Sequence, residues 1–137
     1  MNKPYAIFDR SRFPIVKVEF TGLKADDENF RDYLEELLKS YDSKENLVII
    51  FDALKASFPG MQYQKEQAAW MKEHDSLIRK YCKAIAYVVS SPGIRIALRL
   101  IFMFQNNPVP FKVFKNVKDG IEWSKYRLDI EEPDKKE

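Results

Sequence analysis

The run Asn46-Leu47-Val48-Ile49-Ile50-Phe51-Asp52 is continuously apolar and rich in β-branched residues. It is too short for a typical helix and lacks polar alternate positions, so it predicts a strand buried on both faces. Upstream, Tyr5-Ala6-Ile7-Phe8 is a short apolar run. Ile15-Val16-Lys17-Val18-Glu19-Phe20 alternates, with Val16, Val18 and Phe20 on one face and Lys17 and Glu19 on the other. That period predicts a half-buried strand, and the polar link over 9–12 makes the two runs an antiparallel hairpin that ends at Thr21-Gly22.

Helical periods fill the intervals. Phe30, Tyr33, Leu34, Leu37, Leu38 and Tyr41 recur at helical spacing after the acidic start Asp26-Asp27-Glu28, with Arg31, Asp32, Glu35, Glu36 and Lys39 on the other face. This predicts an amphipathic helix over 27–41, its first turn acidic as the helix dipole favours. A weaker pattern, Tyr63, Ala69, Trp70, Leu77 and Ile78 among Gln and Lys, predicts a second helix over 62–79 after the Pro59-Gly60 turn. A near-continuous apolar strand follows over 83–89. Ser91 as N-cap and Pro92 at the first helical position open a third helix over 92–104, the most apolar of the chain, which Asn106-Asn107-Pro108 stops. Phe111-Lys112-Val113-Phe114 is a short last strand, and Asn116 caps a last helix through Val117, Ile121, Trp123 and Tyr126.

The resulting order, β-β-α-β-α-β-α-β-α, predicts an α/β fold: a single open, mixed, mostly parallel sheet of about five strands with about four helices. At 137 residues the chain suits one domain over 1–130, with the charged, Pro-containing 131–137 as a disordered tail. The near balance of 23 basic and 21 acidic residues offers nothing that would select nucleic acid as a partner. One cysteine, Cys82, cannot pair within the chain and suits a reducing compartment. Polar residues interrupt the N-terminal stretch as a signal sequence would not allow, and the apolar stretch 94–104 is far shorter than the ~20 residues of a membrane span. These features place the chain in the cytoplasm.

The element order and three segments, 46–52, His74 with the strand 83–89, and Val113-Phe114-Lys115-Asn116-Val117-Lys118-Asp119-Gly120-Ile121-Glu122-Trp123, resemble the bacterial STAS-like, sporulation anti-sigma-factor-antagonist-like group and its CRAL-TRIO lipid-binding relatives. In that group the last strand ends in Phe and the closing helix carries an acidic-small-aliphatic-x-Trp pattern, places filled here by Phe114 and by Asp119 to Trp123. The resemblance covers most of 16–128. It implies a STAS-like fold and a regulatory, protein-binding role. Antagonists of this group that act as phospho-switches carry an Asp-Ser-Ser/Thr-Gly box at the entrance to the second helix. Ala56-Ser57-Phe58-Pro59-Gly60-Met61 stands there instead, with Ser57 near the place but without the box.

Candidate residues follow from position. Asp52 ends the central strand, where ligands and partners of open α/β sheets meet the loops; a carboxylate in that position also serves the following turn, the role favoured here. Ser57 is the one phosphorylation candidate, since a phosphate at a helix entrance changes docking, and its other role is a turn hydroxyl. Phe58 beside it is a candidate aromatic anchor for a partner or a core residue. On the third helix Arg95 and Arg99 lie opposite the arc of Ile94, Ala97, Leu98, Ile101 and Phe104, flanked by Phe102 and Met103; this face suits a protein interface or an anionic lipid surface, and equally a helix buried under a neighbouring loop or the C-terminal segment with its arginines reaching out to water. His74, the lone histidine, reads as packed beside Trp70, and Cys82 as a partly buried thiol.

With no glycine-rich phosphate loop, metal-ligand cluster or triad in the sequence, no cofactor or metal is expected, and the reading is of a non-catalytic interaction or regulatory module, self-associating or binding a protein partner. The alternatives are a carrier of a small apolar ligand or lipid and, further off, a phospho-regulated antagonist through Ser57.

Overall fold

A computed structural model describes residues 4–56, 60–89 and 109–131. Its centre is a five-stranded sheet in chain order: β1 (Ala6–Asp9), β2 (Ile15–Phe20), β3 (Leu47–Asp52), β4 (Cys82–Val88) and β5 (Phe111–Phe114). β1 pairs antiparallel with β2, and the three remaining pairings are parallel. The mixed, mostly parallel α/β sheet expected from the periodicities is therefore present, and each strand lies within a residue or so of its expected bounds. All six residues of β3 are buried, as its unbroken apolar run requires.

Four helices are described: α1 (Asp27–Lys39), α2 (Met61–Glu73), α3 (Asp75–Tyr81) and α4 (Val117–Glu131). α1 starts in a capping box: the Asp26 carboxylate accepts the Asn29 N–H at 2.7 Å, and the Asn29 side-chain oxygen accepts the Asp26 N–H at 2.9 Å. α4 starts where expected, with the Asn116 side-chain oxygen accepting the Asp119 N–H at 2.9 Å. It runs beyond Tyr126 to Glu131, so Glu131, read from sequence as tail, closes the helix. The apolar Leu128, packed on the sheet, explains the extra turns.

The helix expected over 62–79 is two helices. At His74 the backbone leaves helical geometry (φ −103°, ψ 21°), and α3 restarts with Asp75 held to Arg79 at 2.8 Å. The inward stripe of α2 is Gln64, Ala68 and Met71 rather than one containing Ala69, which is exposed. A buried glutamine in that stripe weakens the apolar period and shifts the apparent face by one residue. The third helix expected over 92–104 lies outside the described residues.

The pleat divides the interior in two. Val16, Val18, Leu47, Ile49, Phe51, Ile85 and Tyr87 project to the face covered by α1, α2 and α3. There Phe20, Phe51 and Tyr87 stack across β2, β3 and β4, with centroids 5.9 and 5.5 Å apart. Ile15, Ile50, Ala86 and Val88 project to the other face, against Val117, Ile121, Trp123 and Leu128 of α4. That helix lies close to β4: a Cβ at Gly120 would sit 3.6 Å from Val88 and 3.7 Å from Ala86. The buried Ser124 donates to the Gly120 carbonyl at 2.7 Å, so its hydroxyl costs nothing in the apolar contact.

Gly22, which ends the hairpin, has φ +89°, and a Cβ there would meet the Lys55 carbonyl oxygen at 2.8 Å. Left-handed backbone and a rigid backbone neighbour act together. Gly22→Ala should cost about 1–3 kcal/mol, read as a lowered urea midpoint with an unchanged m-value; an unchanged midpoint would remove this account of the loop.

Candidate functional site

Asp52 fills the turn role. It is 9% exposed, and its carboxylate accepts the Leu54 N–H at 3.2 Å, ordering the chain as it leaves β3. Ser57, Phe58, Arg95, Arg99, Phe102 and Met103 lie outside the described residues.

Cys82 is the first residue of β4 and is fully buried, not partly buried as the sequence suggested. Burial pushes its thiol up to about 11, against a lowering hydrogen bond from the Tyr41 hydroxyl. At neutral pH it is a protonated core thiol, closed to nucleophilic chemistry. His74 packs its ring on Trp70, centroids 4.8 Å apart, at the junction of α2 and α3, with Nε2 3.7 Å from the Glu73 carboxylate. Among the described residues no group of His, Cys, Asp and Glu is placed to hold a metal ion, and no helix is long and apolar enough to cross a membrane.

A concave feature of the described surface lies elsewhere, at the outer edge of the sheet. β1 is an edge strand, and its hydrogen bonding follows from register. The Tyr5 carbonyl accepts the Thr21 N–H at 3.1 Å, and the strands pair Ala6 with Phe20 and Ile7 with Glu19. In an antiparallel ladder alternate residues face the partner strand. Ile7 and Asp9 therefore exchange bonds with β2, while Ala6 and Phe8 turn their N–H and C=O groups to the free edge. α1 runs beside that edge and leaves a groove of about 420 Å³. Tyr5, Phe8, Leu23 and Tyr33 give it apolar walls, and Asp26, Glu28, Asp32 and Glu36 supply its carboxylates.

These four acids are not equivalent. Asp26 caps α1. Glu36 is neutralised by Lys39 at 3.2 Å and by Arg10 at 3.5 Å, and the same guanidinium donates to the Glu36 carbonyl at 2.7 Å and stands 5.2 Å from the Phe8 ring. Arg10 thus ties two lining residues of the groove, Phe8 and Glu36, to each other. Glu28 and Asp32, one helical turn apart and exposed, take part in no ion pair among the described residues. The wall is firm: Tyr33 packs against Tyr5 and Phe30 at 5.5 and 5.3 Å, and burial pushes the Tyr5 phenol up to about 12. Sequence reasoning missed this groove because Asp32 and Glu36 read as the solvent face of an amphipathic helix. The signal present was the i, i+4, i+8 row Glu28, Asp32, Glu36, which stays uninformative until β1 is known to be an edge.

The sequence matches no family model and no curated protein. Its fold matches the crystal structure of an uncharacterized DUF3478-family protein from Shewanella loihica PV-4, described as having a SpoIIAA-like fold. The TM-score is 0.64 over 90% of this chain and 98% of that one, at 17% identity. The chain has a SpoIIAA-like fold, the expectation its STAS-like segments raised.

Proposed function

We propose that this chain is a non-catalytic protein-interaction module of the bacterial cytoplasm that docks a partner along the free edge of β1. The observation that carries the reading is the groove itself: an edge strand with outward backbone groups, flanked by a helix whose Glu28 and Asp32 carboxylates take part in no ion pair among the described residues. Edge strands are templates for pairing unless blocked, and among the described residues no strand pairs with the outer side of β1. The absence of catalysis is supported by the buried, protonated state of the Cys82 thiol and by the structural role of Asp52. The domain is read as 1–130.

The carrier reading draws on the groove's volume, which falls within the range of ligand sites. Glu28 and Asp32 at its mouth disfavour the anionic head of a fatty acid, so the docking of protein is the better fit to the same surface.

A photo-crosslinking amino acid in place of Leu23, which lines the groove, tests the reading in cells of the source bacterium. Light should give one adduct of defined mass from this position and none from the exposed Lys125 on α4. No adduct from position 23, or equal adducts from both positions, overturns it.

A further inference from the structure

Two spacings meet in the groove. Glu28 and Asp32 are four residues apart on α1, so their side chains repeat about every 6 Å along the helix. Side chains on one face of an extended chain repeat about every 6.7 Å. A strand laid against the edge of β1 would run beside α1, and every second side chain would point toward that helix. Cations at alternate positions would then fall opposite Glu28 and Asp32 in turn. The outward N–H and C=O groups of Ala6 and Phe8 supply the backbone bonds, and the walls of Tyr5, Phe8 and Leu23 take the aliphatic stems of lysine or arginine. Nucleic acid and anionic membrane present the wrong sign to these carboxylates.

We propose that the groove between β1 and α1 takes an extended segment of a partner protein with lysine or arginine at alternate positions, which pairs with β1 and sets its cations on Glu28 and Asp32. The inference rests on the interaction-module reading and specifies the partner's chemistry.

The test uses the full chain and a labelled synthetic peptide of about six residues, a typical strand length, alternating lysine and valine. Fluorescence anisotropy follows affinity, and backbone amide spectra locate the contact. Binding should slow exchange at the Ala6 and Phe8 amides. A peptide N-methylated at alternate residues on its pairing edge should lose binding. The double substitution Glu28→Gln and Asp32→Asn should weaken affinity about tenfold, the scale of two surface charge pairs. A peptide of the same composition with its lysines in one block should bind at least as poorly as the alternating peptide does to the double variant. Equal binding by the N-methylated or blocked peptide, or by the double variant, overturns the proposal. If the adduct at position 23 persists while the alternating peptide fails to bind, the interaction module stands and the extended cationic class is wrong. If both fail, the docking surface itself is wrong.

Discussion

Titrating this protein from pH 9 to pH 12 should unfold it in one cooperative step. Burial raises the Cys82 thiol from 9.0 to about 11 and the Tyr5 phenol from 10.0 to about 12. It also raises Tyr33, Tyr41 and Tyr87, whose rings lie in the same layer between the sheet and the helices. All five are acids whose neutral form the fold prefers. In the unfolded chain the thiol begins to lose its proton near pH 9 and the phenols near pH 10, while the folded chain still holds them. Above pH 9 the folded state therefore binds more protons than the unfolded one, and stability falls as pH rises; below pH 9 the contribution is whole. Cys82 and Tyr5 withdraw on the order of 3 kcal/mol apiece by pH 12. With three more phenols the loss reaches the total stability of an ordinary domain, about 5–15 kcal/mol. The cooperative part of the tyrosinate absorbance, from the buried phenols, should share its midpoint with the loss of circular dichroism. Tyr5→Phe should raise that midpoint while leaving neutral-pH stability nearly unchanged. A fold intact at pH 12, or a midpoint indifferent to Tyr5→Phe, would show that these groups reach solvent.

The sheet was legible in the sequence because strand signals are local. The unbroken run of β3, the alternation of β2 and the isolated Phe111–Phe114 each declare a period within a few residues. The helices were legible where burial is purely apolar, as in α1. They were misread where a polar residue goes inside: Gln64 is 1% exposed, and a hydrophobicity pattern assigns it to solvent. The strand start was misplaced by a single residue, enough to make a fully buried first strand position read as a partly buried thiol. The groove is a tertiary object. Its walls come from Tyr5 to Phe8, from Leu23 and from Asp26 to Glu36, and only the strand order makes β1 an edge and sets those carboxylates beside outward-facing backbone. The resemblance to STAS-like proteins directed attention to the loop after β3, two strands away from it. There the Asp52 carboxylate accepts the Leu54 N–H of its own turn.

Tyr33→Ala should cost about 3–5 kcal/mol in urea denaturation and abolish binding of the alternating lysine peptide, whereas Tyr33→Phe should cost about 1 kcal/mol and leave binding intact. The Tyr33 ring lies at the centre of an aromatic cluster, 5.5 Å from Tyr5, 5.6 Å from Phe20, 5.3 Å from Phe30 and 6.2 Å from Phe8. Truncation removes all four contacts and leaves a cavity between α1 and the hairpin, which neighbouring rings fill only by moving the helix. Tyr33→Phe keeps the ring and loses only the hydroxyl bonded to Gln67. The groove depends on the same ring. Tyr33 forms part of its wall, and its ring, packed on Tyr5 and Phe8, spaces α1 from β1, so it sets how far Asp32 stands from the outward backbone of Phe8. If that distance decides whether a strand and its cations are met together, stability and docking must fall together in Tyr33→Ala and separate in Glu28→Gln with Asp32→Asn, which touches charge alone. Normal peptide binding by a destabilised Tyr33→Ala protein would place the docking surface away from this wall.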